Sequence, residues 1–296
     1  MRHSIRFHLL TFIAALTLAG CSLGSTVRPS SEADAATQWM ADVVAISSAD
    51  ESAGRRDAIE QRLATLGIAL THAPFVSGTR NGVNLTAEIA GASTAPLLLL
   101  GAHSDKVKAG RGATDNASGS AVVIALAERL RLRPLKHHRV GIAFWDLEEN
   151  GLLGAKAYID GGGEKPALYV NFDVFGWGDA LWMMTPDARH PLAIASQAAA
   201  DRAGITLSAG EQYPPTDHLA FLKAGWPAVS YSLVGSREIP RILQAFDGKK
   251  PDVPAKVMQV IHSDHDTVMQ LDAEEVGRGI AAVEDALRRW DAATDE

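Results

Sequence analysis

Two histidines and a spread of acids carry the chemistry this sequence offers. His103 stands in Gly101-Ala102-His103-Ser104-Asp105, directly after four leucines, and Asp115 stands in Ala113-Thr114-Asp115-Asn116-Ala117-Ser118-Gly119. Glu148 and Glu149 are adjacent, Asp173 sits in Asn171-Phe172-Asp173-Val174, and His262 opens His262-Ser263-Asp264-His265-Asp266. Imidazole and carboxylate are the oxygen and nitrogen ligands that zinc takes. Two ions about 3.5–4 Å apart can share one water and lower its pKa, which yields a nucleophile at neutral pH. Such a pair needs one bridging carboxylate, one histidine and one further carboxylate per ion, and an unliganded acid as base. The sequence supplies that set. The other hydrolytic routes are missing: no Gly-x-Ser-x-Gly elbow occurs, and the only cysteine, Cys21, lies outside the segments that carry these acids.

Each of these residues needs an element to position it. Leu97–Ala102 is an apolar run that predicts a buried strand ending at His103, and 121–132 has the spacing of a helix stopped by Pro134. Asp115 therefore falls where a helix starts. Arg139–Trp145 predicts a strand ahead of the glutamate pair, Leu168–Val174 a strand carrying Asp173, and 181–184 and 228–233 two more. Strands are also expected over 68–76 and 83–89. Helical spacing covers 35–46, 51–66, 152–159, 191–203, a short stretch at 239–246, and 273–290. Strands alternating with helices imply one domain in three α/β/α layers, with a mixed, mainly parallel central sheet. In such sheets ligands bind beyond the carboxyl ends of the strands, where His103 and the acids are expected. There is no internal repeat, and nothing marks a second domain.

The beginning of the chain is of a different kind. Arg2 and Arg6 precede an apolar stretch, Leu9–Ala19, which is too short to span a bilayer. The sequence Leu18-Ala19-Gly20-Cys21 resembles a bacterial lipoprotein signal, in which the peptide is cut before a cysteine that is then lipidated. That resemblance implies a signal peptide over 1–20, a lipid at Cys21, a flexible Ser/Thr/Pro-rich tether over 21–33, a folded domain over 34–296, and a place in the bacterial cell envelope on a membrane outside the cytoplasm. Without Arg2 and Arg6 the net charge of −7 becomes −9, which argues against nucleic acid as a partner.

The motifs GAHSD, GATDNASG, DLEENGLLGAKAY, NFDVFG, TDHLAFLKAGWPAV and IHSDHDT, in this order over residues 82–290, resemble the co-catalytic di-zinc aminopeptidase family, which includes bacterial leucyl aminopeptidases, aminopeptidase Y and glutamate carboxypeptidase II. The resemblance implies a zinc aminopeptidase fold and two zinc ions per chain. By it, His103 and Asp173 bind one ion, Glu149 and His262 bind the other, and Asp115 bridges them. Glu148 becomes the general base for a metal-bridged water, and Asp105 the acid that orients His103. Tyr213 resembles a tyrosine that assists the tetrahedral intermediate in some members, although Pro214 and Pro215 depart from their pattern and Thr216 replaces a serine. The peptide bond after Asp115 is expected to be cis. The implied activity is removal of N-terminal residues from peptides with a free amine. Two other functions remain open on the same motifs: a glutaminyl cyclase forming N-terminal pyroglutamate, and a non-catalytic binding lipoprotein. Side-chain preference is not legible; among Trp177, Trp182, Met183, Met184 and Trp226, most are expected in the core.

Overall fold

The computed structural model describes residue 1 and residues 32–293, so Cys21 and nearly all of the expected signal peptide and tether lie outside the described residues. The chain opens with helices α1 (Glu32–Ser47) and α2 (Ser52–Thr65), followed by strands β1 (Thr71–Ser77), β2 (Arg80–Ala90) and β3 (Leu97–His103). A tight turn over Ala113–Ala117 leads into α3 (Ser118–Leu132), β4 (Arg139–Trp145), α4 (Leu153–Asp160), β5 (Leu168–Phe175), β6 (Ala180–Met184) and α5 (Pro191–Ala203). The remaining elements are β7 (Thr206–Gly210), α6 (His218–Lys223), β8 (Ala228–Val234), α7 (Ile239–Phe246), α8 (Lys256–Val260) and α9 (Ala273–Ala292).

The strands form one sheet in the order β1-β2-β4-β3-β5-β8-β6-β7. Pairing is parallel at β3–β4, β3–β5, β5–β8 and β6–β7, and antiparallel at β1–β2, β2–β4 and β6–β8. The four central strands β4, β3, β5 and β8 thus run the same way, and their carboxyl ends share one edge. Strands buried on both faces read as continuous apolar runs, and β3 shows why. Leu98 and Leu100 enter a core with α1, α3, α5 and α9, whereas Leu97 and Leu99 pack on the other face with Trp145, Tyr169 and Phe221. That second face is covered by α4 and α6, which gives the three layers the sequence predicts.

The strand Arg139–Trp145 and the helices at 191–203 and 239–246 have the bounds that the spacing predicts. Helix α3 starts earlier than its apolar pattern, at Ser118. Its first residues are serines whose hydroxyls bind backbone carbonyls: Ser118 Oγ donates to Thr114 O at 2.6 Å and Ser120 Oγ to His103 O at 2.9 Å. Strand β7 and helices α6 and α8 are absent from the sequence expectation. They are five, six and five residues long, too short to show a period.

Candidate metal centre

The common edge of β3, β4 and β5 collects the residues that the sequence singles out. His103 is the last residue of β3, in register with Trp145 at the end of β4. Glu148 and Glu149 follow in the turn after β4, and Asp173 stands in β5 where its register with β8 shifts between Phe172 and Phe175. Asp115 sits in the turn before α3, and the Asp115–Asn116 peptide bond is cis. His262 comes from the loop after α8.

Backbone conformations rare for side-chain-bearing residues gather here. Leu147, Leu152, Val174 and His262 all have positive φ, between 54° and 61°. Three of them flank or are site residues. Each such residue costs about 1–3 kcal/mol and persists only where the surroundings fix it. Gly110, at φ 65°, solves the same problem without a side chain. A Cβ there would lie 2.2 Å from Ser263 O, so only glycine lets the 104–112 loop pack on the loop that presents His262.

The side chains converge on Asp115. Its Oδ1 lies 3.1 Å from His103 Nε2, which is also 3.5 Å from Asp173 Oδ1. Its Oδ2 lies 3.1 Å from His262 Nε2, which is 3.2 Å from Glu149 Oε2. One carboxylate therefore faces two separate histidine–carboxylate pairs, one through each oxygen. Ligands at 2.0–2.2 Å on a tetrahedron stand about 3.3–3.6 Å apart; the observed 3.1–3.5 Å lies at or slightly inside that edge. Glu149 Oε1 and Asp173 Oδ1 are buried and have no hydrogen-bond partner among the described residues, which leaves acceptors aimed at a cation. The donor set fits zinc.

Electrostatics agree. Burial, and after it the neighbouring Asp217, Asp173 and Asp115, push the Glu148 carboxyl up to about 10 against the pull of His103. Hydrogen bonds to Asp115 and Glu149 raise the His262 imidazole to about 10. Burial opposes ionisation of Asp115, yet the bonds from His103 and His262 hold its carboxyl below the usual range. Positive charge placed among these carboxylates would return Glu148 toward its ionised form.

A buried layer supports the cluster. Asp105 Oδ1 lies 3.3 Å from His103 Nδ1, close but off the line of a hydrogen bond. The same carboxylate accepts the backbone N–H of Glu148 at 3.0 Å and of Glu149 at 3.2 Å, so it ties the first histidine to the glutamate turn. Asp266 accepts from the N–H groups of Thr114 and Asp115 at 2.6 and 3.2 Å and fixes the turn that carries the shared carboxylate. Arg55, fully buried in α2, donates to Ser104 O at 2.6 Å and to Arg111 O and Gly112 O at 3.1 Å. Burial lowers this guanidinium to about 10, and the nearby Asp105, Asp115, Asp266 and Glu149 oppose that fall.

Residues 84–286 match the sequence profile of Peptidase family M28. The chain belongs to this family. Every residue of the cluster lies inside the matched span, whereas Arg55 lies outside it. Leupeptin-inactivating enzyme 1 of Streptomyces exfoliatus is 38% identical over 127 residues, 40% of this chain and 28% of that protein. A probable lipoprotein aminopeptidase, LpqL of Mycobacterium tuberculosis, is 38% identical over 95 residues, 31% of this chain and 19% of that protein. The aligned segments thus span less than a third of either relative. Among solved structures, the zinc aminopeptidase of Bacillus subtilis superposes with a TM-score of 0.57 at 22% identity, over 71% of this chain and 50% of that one. Glutaminyl cyclase of Porphyromonas gingivalis superposes with a TM-score of 0.66 at 16% identity, over 88% and 98%. Both likenesses establish the fold of the M28 chain.

A cavity of about 470 Å³ opens on the cluster, and of the other singled-out residues Trp182, Tyr213, Pro214, Pro215 and Thr216 line it. Tyr213 lines it. Its hydroxyl bonds Ser232 Oγ and accepts from Ser230 Oγ at 3.4 Å, and its ring leans on Trp182 at 4.6 Å. Burial raises the Tyr213 hydroxyl well above its ordinary range. Of the five tryptophans and methionines that could line a pocket, Trp182 lines the cavity, Trp177, Met183 and Met184 are buried in the core, and Trp226 is half-buried against Phe221. His218 is buried with Nδ1 unpartnered, and burial lowers it to about 3. Asp217 is fully buried with both oxygens unpartnered; burial raises its carboxyl, helped by Asp105 and Asp173 and opposed by His103. Arg55 carries no signal in the sequence, because a lone arginine in a helix is ordinarily solvated.

Proposed function

We propose that this chain is a zinc-dependent aminopeptidase with a two-metal centre. The observation that carries the reading is Asp115, whose two carboxylate oxygens each meet a different histidine–acid pair. In this proposal His103, Asp115 and Asp173 hold one ion, and His262, Glu149 and Asp115 the other. Zinc held in pairs activates water and polarises a carbonyl. Glu148 lines the cavity near His103, Asp115 and Asp173, and its carboxylate has no hydrogen bond or ion pair among the described residues, which suits a general base. It would take one proton from the attacking water and pass it to the amine that leaves as the peptide bond breaks. Asp105 holds the Glu148 backbone and His103 in one register. The substrate's free α-ammonium is matched by the carboxylates of the floor, so cleavage is confined to the first peptide bond of a chain.

The cyclase fold match covers nearly the whole of that enzyme, so shape alone leaves it as the rival reading. Pyroglutamate formation uses the substrate's own amine as nucleophile and needs a Lewis acid with a proton shuttle, which a single ion supplies. A panel of aminoacyl substrates, free and N-acetylated, tests the choice together with zinc content on the same sample. The peptidase releases free N-terminal residues and ignores acetylated ones. Conversion of N-terminal glutamine to pyroglutamate with no residue released would assign the cyclase.

We further propose that residues 1–20 direct export, that Cys21 carries lipid, and that residues 21–33 tether the domain to a membrane of the cell envelope. The Leu-Ala-Gly-Cys sequence after an apolar stretch supports this, as does a relative described as a lipoprotein. Among the described residues no helix is long and apolar enough to cross a membrane. Cys21→Ser should abolish fatty-acid labelling; equal labelling of both forms would refute the anchor.

A further inference from the structure

The cavity is polarised. Its floor is acidic, with Asp115, Glu148, Glu149 and Asp173. One wall is apolar and includes Trp182, Val234, Ile242, Val257 and Ile261. Its lining holds two lysines and no arginine: Lys156 of α4 and Lys223 of α6, on neighbouring helices of one layer. Neither forms an ion pair among the described residues. Lys156 Nζ donates only to Gly151 O, at 2.8 Å, which holds the ammonium beside the turn that carries Glu148 and Glu149. Lys223 is exposed and has no hydrogen-bond or ion-pair partner among the described residues. Two cations at the rim of an acidic cavity, with no ion-pair partner among the described residues, are arranged for an anion on the ligand.

We infer that Lys156 and Lys223 form a subsite for the C-terminal carboxylate of a short peptide, so that the site favours di- and tripeptides with a free acid end. The inference rests on the aminopeptidase reading. A dipeptide or tripeptide carries an ammonium at one end and a carboxylate at the other. An extended residue spans about 3.3–3.6 Å, so with the ammonium on the acidic floor the carboxylate of such a peptide emerges within the cavity rather than far outside it. Longer peptides place that charge beyond the rim, and amidated ones lack it. A cavity of about 470 Å³ is of the size that encloses a ligand of this class.

The test compares free-acid dipeptides with their C-terminal amides on the zinc-loaded full-length protein. The readout is the ratio of kcat/KM for acid over amide, in wild type, in Lys156→Met/Lys223→Met and in Lys156→Arg/Lys223→Arg. The wild type should prefer the acid, and the methionine pair should reduce the preference about tenfold through KM, as two partly exposed charge pairs allow. The arginine pair should keep it, since charge and reach survive. Raised ionic strength should erode the preference in the wild type and leave the methionine pair indifferent. Equal rates on acid and amide in the wild type, or a preference that survives the methionine pair, would overturn the subsite. Release of no residue from either form by the wild type would overturn the aminopeptidase reading itself, an outcome that a missing subsite does not produce.

Discussion

The two sides of Asp115 are built differently. His103 ends a central strand, its side chain is 1% exposed, and Asp105 stands beside its second nitrogen. His262 projects from a loop at positive φ, its side chain is 53% exposed, and the loop is held from below through Asp266 and Gly110. The same ligand chemistry is thus mounted once on the sheet and once on a loop. A position set by strand register is stiff because moving it would disturb the core. A loop position depends on a few backbone contacts and opens more readily. The His103 side is expected to keep its ion when the His262 side has released its own.

The largest effect expected erases the comparison. Asp115→Ala removes the carboxylate that the two sides share, and zinc content measured on the purified protein should fall to near none, with activity lost. A variant that still carries both ions would show that Asp115 is no bridge. Glu148→Gln comes next. It leaves both sides intact, so zinc content should stay at the wild-type level while turnover falls roughly 10²–10⁴-fold. If Glu148→Gln stripped zinc and Glu149→Gln did not, the two glutamate roles would be exchanged.

Arg55→Met examines what both sides stand on. The variant takes the Arg55 donor from the carbonyls of Ser104 and Arg111, leaves Gly112 O with only the Ala117 N–H, and removes a cation from beneath the carboxylates. Losing one partner of a buried charged network costs about 3–5 kcal/mol, to be read as a lower denaturant midpoint together with weaker zinc retention against a chelator. An unchanged midpoint would mean that the guanidinium is dispensable. The smallest effect separates the sides directly. In metal-free protein, His103→Ala should lower unfolding stability by a few kcal/mol, because the buried Asp105 and Asp115 and the half-buried Asp173 lose their shared partner. His262→Ala, half-exposed, should cost about 0–1 kcal/mol. Equal losses would dissolve the distinction between strand-mounted and loop-mounted ligands.

How much of this was legible depends on how local the signal is. The four leucines of β3 show a buried strand because the residues are apolar on both faces, and the histidine that ends it marks the sheet edge. The cluster residues could be named because each is a metal-ligand type next to an element boundary, in motifs that resemble one family. Strand β7 was not legible: Thr206–Gly210 forms an edge strand with half-exposed, mixed side chains and pairs only through β6. Helices α6 and α8 were too short for a period to appear, although α6 carries His218 and follows the buried Asp217. Arg55 was hidden for a different reason. Its role comes from three carbonyls that lie 49 to 57 residues away in sequence, and no spacing announces such a contact. The same holds for the rim lysines, which look like ordinary solvated helix residues until the fold sets α4 beside α6.

The central claim is a pair of ions held by one aspartate, with unequal grips on the two sides. Its most direct test is stepwise removal of zinc from the wild-type protein by a graded chelator, counting ions per chain at each step. Two ions should be bound at saturation and leave in two resolved stages, and His262→Ala should abolish the stage that comes first. A single ion per chain at saturation, released in one step that His262→Ala leaves unaltered, would contradict the account.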